Sequence, residues 1–137
     1  MDFKKYLFLI FTIVLFSCSQ KTLTINSSVK RIVYSGVVGL SPSVEYKISF
    51  ESSSDFKIDA LKLNTNEIKE FSLYDESTRK SISSANLLKR GKYTISFKLE
   101  NSRDIKKPEE VLVIILSNNK TIKKKGKIKT IEPLRLR

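Results

Sequence analysis

The sequence predicts an all-β domain, a small antiparallel β-sandwich, and three observations carry that expectation. Val44, Tyr46, Ile48 and Phe50 alternate with Glu45, Lys47, Ser49 and Glu51. Tyr93, Ile95, Phe97 and Leu99 alternate in the same way with Thr94, Ser96, Lys98 and Glu100. Period two marks a strand with one face in a core and the other in water. Turn-forming residues recur between such runs, and no stretch sustains a helical period. A chain of 137 residues suits one domain of this kind.

From the N-terminus, Met1-Asp2-Phe3-Lys4-Lys5 is short and net positive, and residues 6–16 read YLFLIFTIVLF. A bilayer-spanning helix needs about 20 apolar residues, so this run is too short for one. Its charge and length are those of a secretory signal peptide. Leu15-Phe16-Ser17-Cys18 follows, and then the polar Ser19-Gln20-Lys21-Thr22. A branched apolar residue, a small residue and then Cys resemble the lipobox of bacterial lipoproteins. That resemblance implies cleavage after Ser17, a thioether-linked diacylglycerol on Cys18 and acylation of the new amino group. Chains of this number anchor stably, because each buried methylene contributes about 0.8 kcal/mol. Ser19 is not the Asp of an inner-membrane retention signal, and residues 19–21 lack the acidic cluster that exports some Bacteroidetes lipoproteins. With its Leu15-Phe16-Ser17-Cys18, the chain resembles small Bacteroidetes-like lipoproteins of unknown function. The expected place is the cell envelope, at the outer membrane and facing the periplasm.

The expected organisation is a signal-peptide helix over residues 1–17, a lipidated Cys with a flexible tether over 18–28, and the sandwich over 29–137. Residues 19–28 are polar apart from Leu23 and Ile25, and ten residues reach at most ~35 Å. The alternating strand at 44–51 comes next. Phe56, Ile58 and Ala60 then run in one phase, and Leu61 and Leu63 in the other. Ile68 followed by Phe71 and Leu73 shows a similar slip. Such slips predict β-bulges or strands passing between sheets. Residues 84–91 predict one helical turn, capped by Ser84 and ended by Gly91. The run VLVIIL at 111–116 is apolar throughout, as in a strand buried on both faces. Asn118-Asn119 tolerates the left-handed backbone of a two-residue hairpin turn, so residues 120–131 should return beside 111–116. The helical turn, then Gly91-Lys92-Tyr93 and an alternating strand, resemble the approach to the sixth strand of an immunoglobulin-like domain. The Cys pair and buried Trp of antibody domains are absent.

Charge is uneven. Lys and Arg total 26 against 14 Asp and Glu, a formal net charge of +12. Residues 117–137 carry eight of those cations against Glu132 alone. If 121–131 form a strand, Lys123, Lys125, Lys127 and Lys129 share one face at ~6.8 Å spacing. Two accounts stay open. One is a polyanion site for lipid head groups, an acidic glycan or an acidic protein surface. The other is an edge strand whose lysines prevent edge-to-edge aggregation.

Catalytic chemistry finds little footing. The chain has no His, no Trp and one Cys. That excludes a His-assisted nucleophile, a His-ligated metal and an internal disulfide. Ser77-Thr78-Arg79-Lys80 and Ser27-Ser28-Val29-Lys30 fit S-x-x-K, a pattern that chance supplies in a chain rich in Ser and Lys. Asp75-Glu76 and Glu109-Glu110 read as solvated acids in loops. The polar loop over 101–110, with Asp104 and Lys106, suits a recognition loop or a plain connector. The expectation is a membrane-anchored, noncatalytic binding or assembly module without a cofactor or metal. It is held to the membrane through Cys18, with an envelope protein or an anionic glycan or lipid as partner and no nucleic acid. The alternative is a polyanion-binding lipoprotein using the basic C-terminal strand, and a small enzyme is the lower alternative.

Overall fold

The computed structural model describes residues 22–100 and 107–137. The expected signal peptide over residues 1–17, Cys18, residues 19–21 and the loop positions Asp104 and Lys106 lie outside the described residues. Everything described is strand, turn or loop, and the strands form two sheets. They are β1 (Leu23–Tyr34), β2 (Ser43–Ser52), β3 (Lys57–Leu63), β4 (Asn66–Glu67), β5 (Ser72–Asp75) and β6 (Lys80–Ile82). They continue as β7 (Gly91–Glu100), β8 (Glu110–Ser117), β9 (Lys120–Lys127), β10 (Lys129–Thr130) and β11 (Leu134–Arg135). The first sheet runs β10-β1-β2-β7-β5-β6, with β11 also on β1, and the second runs β4-β3-β8-β9. The chain is an all-β protein with the two-sheet arrangement of a β-sandwich.

The core forms where inward positions of the two sheets meet. Val44, Tyr46, Ile48 and Phe50 from β2 and Tyr93, Ile95 and Phe97 from β7 face Ile58, Leu61 and Leu63 from β3 and Val111, Val113 and Ile115 from β8, all buried. Aromatic rings fill its wider parts. Phe56 meets Phe50 and Tyr93 edge-on at 5.8 and 5.3 Å, and Tyr46 stacks on Phe97 at 4.7 Å. Such pairs add roughly 0.5–1.5 kcal/mol to the stabilisation from burial.

Both phase slips have a structural cause. The register between β3 and β8 shifts between Ile58 and Ala60, a bulge that puts Asp59 out of phase. The slip after Ile68 is a change of sheet, because β4 ends in the second sheet and β5 begins in the first. Asn118 and Asn119 have φ of 51° and 60° and join β8 to β9 in a two-residue turn.

Three expectations change. The strand begins at Leu23, not after residue 28, so the stretch taken as tether is largely sheet. A register shift between Ile25 and Ser27 breaks the alternation there, and the inward residues that follow, Ser28 and Lys30, are polar. Residues 84–91 form no helix. The Leu88 backbone instead exchanges two hydrogen bonds with Phe56, of 2.9 and 2.7 Å, and Gly91 opens β7. Finally, Lys129 leaves the face shared by Lys123, Lys125 and Lys127. β9 ends at Lys127, and β10 pairs with β1 in the other sheet, Lys129 opposite Val29.

Candidate functional site

The site is built on β8 and its two neighbours. Antiparallel register places Lys62, Leu112 and Lys125 in one row across β3, β8 and β9. Ala60, Ile114 and Lys123 make the next row, and Lys57, Leu116 and Thr121 the next. Alternation settles which way these rows face. Leu61, Leu63, Val111, Val113 and Ile115 point into the core, so the rows lie on the outer surface of the second sheet. An apolar stripe of Leu112, Ile114 and Leu116 therefore runs between two lines of lysine. Lys57 and Lys62 lie on one side, and Lys123, Lys125 and Lys127 on the other.

The VLVIIL run is thus apolar on both faces, while the core cluster takes in only its inner residues Val111, Val113 and Ile115. Ile114 is nonetheless only 6% exposed, whereas Leu116 is 38% exposed. Lys123, opposite Ile114, can cover part of it with its methylenes while its ammonium stays in water. None of the five lysines forms an ion pair with a described residue. The acids on this face are Glu110, opposite Lys127, Glu67, opposite Lys62, and the exposed Asp59 at the β3 bulge between Lys57 and Lys62. At the Glu110 end two adjoining open hollows share Asn64, Thr65, Glu110 and Lys125. One, of about 270 Å³, is also bordered by Lys62 and Leu112. The other, of about 660 Å³, also meets Lys127 and Pro108.

The edge-strand account of these lysines can be weighed against this geometry. An inward-pointing charge is a known device on an edge strand. Lys124 has that place, on the inner side of β9 opposite Val113 and half-buried. The end of β9 is also closed against β1. A Cβ on Gly126 would stand 3.2 Å from both Ile25 Cγ2 and Ser28 Oγ, and Ser28 Oγ donates to the Lys127 carbonyl at 2.7 Å. Lys123, Lys125 and Lys127 project from the sheet face, where they do not mask its edge.

Behind the same end lies a polar cluster that sequence reasoning missed. Lys30, inward on β1 and 2% exposed, forms an ion pair with Glu109 and donates to the Lys107 carbonyl at 3.3 Å. The Tyr46 hydroxyl donates to Glu109 Oε1 at 2.9 Å and lies 3.1 Å from Oε2. Burial, followed by the hydrogen bond to Glu109 and its charge, raises the Tyr46 pKa far above the usual phenol value. Glu109 is therefore not a solvated loop acid; its side chain is 13% exposed and joins the two sheets. A buried cation opposite a buried tyrosine carries no periodic signal. Only the polar residues at inward positions of β1 hint at it.

The S-x-x-K matches are separated by the same geometry. Lys30 faces inward to Glu109 while Ser27 is exposed. Ser77 and Lys80 are both exposed, and the Ser77 hydroxyl donates to Asp75 Oδ1 at 2.7 Å. That bond is the main reason the Asp75 pKa lies below the ordinary carboxyl value.

No protein-family model matches the chain, and neither the curated proteins nor the solved structures contain a match.

Proposed function

We infer that the protein is a lipid-anchored lipoprotein of the bacterial cell envelope whose sandwich is a noncatalytic binding module for an anionic partner. The observation that carries the binding half is the set of five lysines around Leu112, Ile114 and Leu116, none paired with a described acid. Five like charges on one sheet face repel one another, and that cost is recovered when an anion neutralises them. The anchor half is supported by Leu15-Phe16-Ser17-Cys18 after a short apolar run. An outer-membrane position facing the periplasm follows from Ser19 and the polar residues after it.

An immunoglobulin-like sandwich is the finer fold reading. In that fold the first, second, fifth and fourth strands share one sheet, and the third, sixth and seventh share the other. Here β1, β2, β7 and β5 lie in sequence in one sheet, and β3, β8 and β9 in the other with β4 beside β3. That order supports the reading. In this correspondence the strand opened by Gly91 takes the fifth place, not the sixth. Its likeness to a sixth strand rested on a helical turn before Gly91-Lys92-Tyr93, and residues 84–91 form no helix.

Two measurements test the inference. Intact mass of the native protein should show a start at Cys18 plus the mass of its acyl chains. Binding to an anionic ligand should weaken steeply with salt as counterions are released, and changing Lys123, Lys125 and Lys127 to Gln should abolish it. Binding that is indifferent to salt removes the lysine face from consideration.

A further inference from the structure

We propose that the lysine-framed face of β3, β8 and β9 lies flat against the anionic bilayer that holds the anchor, with lipid phosphates between the lysine rows and Leu116 at the head-group boundary. This orientation rests on the lipid anchor proposed above, and the length of the tether argues for it. Because β1 begins at Leu23, only residues 19–22 separate Cys18 from the sheet. Four residues reach at most ~14 Å, so the body cannot stand away from the membrane. Some face of the domain must meet the bilayer, at the high local concentration that a short tether imposes.

The lysine-framed face is within reach. Packed sheets lie ~10 Å apart, and β1 lies against β9 where Gly126 meets Ile25 and Ser28. The start of β1 therefore lies beside the β9 edge of the second sheet.

The chemistry of the face also selects a bilayer over a soluble polyanion. Lys62 and Lys125 flank Leu112, with ~10 Å between their strands. The hollow between them has Lys62 and Lys125 on its sides and Leu112 on its border, with Glu110, Asn64 and Thr65 at one end. A linear glycan or polyphosphate could neutralise the ammonium groups, but it would leave Leu112 and Leu116 facing water. A membrane surface offers phosphates to the lysines and an apolar boundary to the stripe. The β1–β2 loop, where Val37, Val38 and Leu40 are exposed, follows the far end of β1 from the tether. It serves as the internal control.

The decisive experiment uses the native acylated protein with Leu116→Cys carrying an environment-sensitive fluorophore, reconstituted in vesicles. In phosphatidylglycerol-containing vesicles the emission should shift to the blue and be quenched by brominated lipid. In phosphatidylcholine vesicles, or at Val38→Cys, it should stay water-like. Adding Lys62→Gln and Lys125→Gln should return the Leu116 label to its water-like spectrum. A water-like Leu116 label in anionic vesicles, or a blue shift at Val38 alone, overturns the orientation.

A second arm separates this idea from the anchor. The chain from residue 18 with Cys18→Ser keeps every described strand. It should sediment with phosphatidylglycerol vesicles and not with phosphatidylcholine vesicles, losing about fivefold in partition for each lysine removed. Binding to inorganic polyphosphate without binding to vesicles overturns the bilayer as occupant while leaving an anion-binding face. A native mass without acyl chains overturns the anchor on its own, whatever the vesicles show.

Discussion

At the scale of single residues, the Lys30–Glu109–Tyr46 cluster gives the sharpest expectations. Removing one member of a buried ion pair strands the other charge, which typically costs about 3–5 kcal/mol. Lys30→Met should therefore destabilise the fold by that order in urea titration. The double variant Lys30→Met/Glu109→Leu should recover much of the loss, since no charge is left buried. Tyr46 adds a pH dependence of known sign. Its folded pKa is raised above the ordinary 10.0, because burial and Glu109 favour the protonated phenol. The stabilisation is full below 10.0 and is lost as pH rises above it, where the unfolded chain releases the proton and the folded chain holds it. Tyr46→Phe should flatten that alkaline decline. It should also lower stability at neutral pH by about 1.5–3 kcal/mol, the usual worth of a hydrogen bond to a charged group. Stability measured by urea on either side of pH 10.0 checks both.

At the scale of elements, the turn and the crossing are the sensitive points. Asn118 and Asn119 hold left-handed backbone, which costs most other residues about 1–2 kcal/mol. Asn119→Ala should lower stability by roughly that amount while Asn119→Gly is tolerated, as thermal unfolding would read. Gly126 is different, because its requirement is space. An added methyl meets Ile25 and Ser28 at 3.2 Å from two sides. Gly126→Ala should cost about 1–3 kcal/mol by overpacking, and Ile25→Val in the same chain should return part of it. The turn was legible in the sequence, since Asn-Asn between apolar and returning runs is a local signal. The reason for Gly126 was not, because it depends on β1, about a hundred residues away in the chain.

At the scale of the whole molecule, a formal charge of +12 works against compactness. Moderate salt should raise the melting temperature by screening that repulsion. Lys123→Gln/Lys125→Gln should change stability by less than about 0.5 kcal/mol, or increase it slightly, as expected for exposed positions without partners. A large loss in differential scanning calorimetry would make these lysines structural and remove the reason to assign them a ligand. Function and stability would then have to be separated by other residues on the face.

Local pattern by itself determined the strands: alternation at Val44 to Phe50 and Tyr93 to Leu99, the apolar run in β8, and the phase slips that became a bulge and a change of sheet. Each depends on near neighbours in the chain, where side-chain direction follows backbone geometry. Tertiary structure alone decided that Lys30 turns inward to Glu109, that β1 starts at Leu23, and that Lys129 departs from its row. It also decided that the outer side of VLVIIL is framed by lysines from two strands. Those outcomes depend on which strands lie beside one another, and pairing between distant segments leaves no periodic trace in either segment.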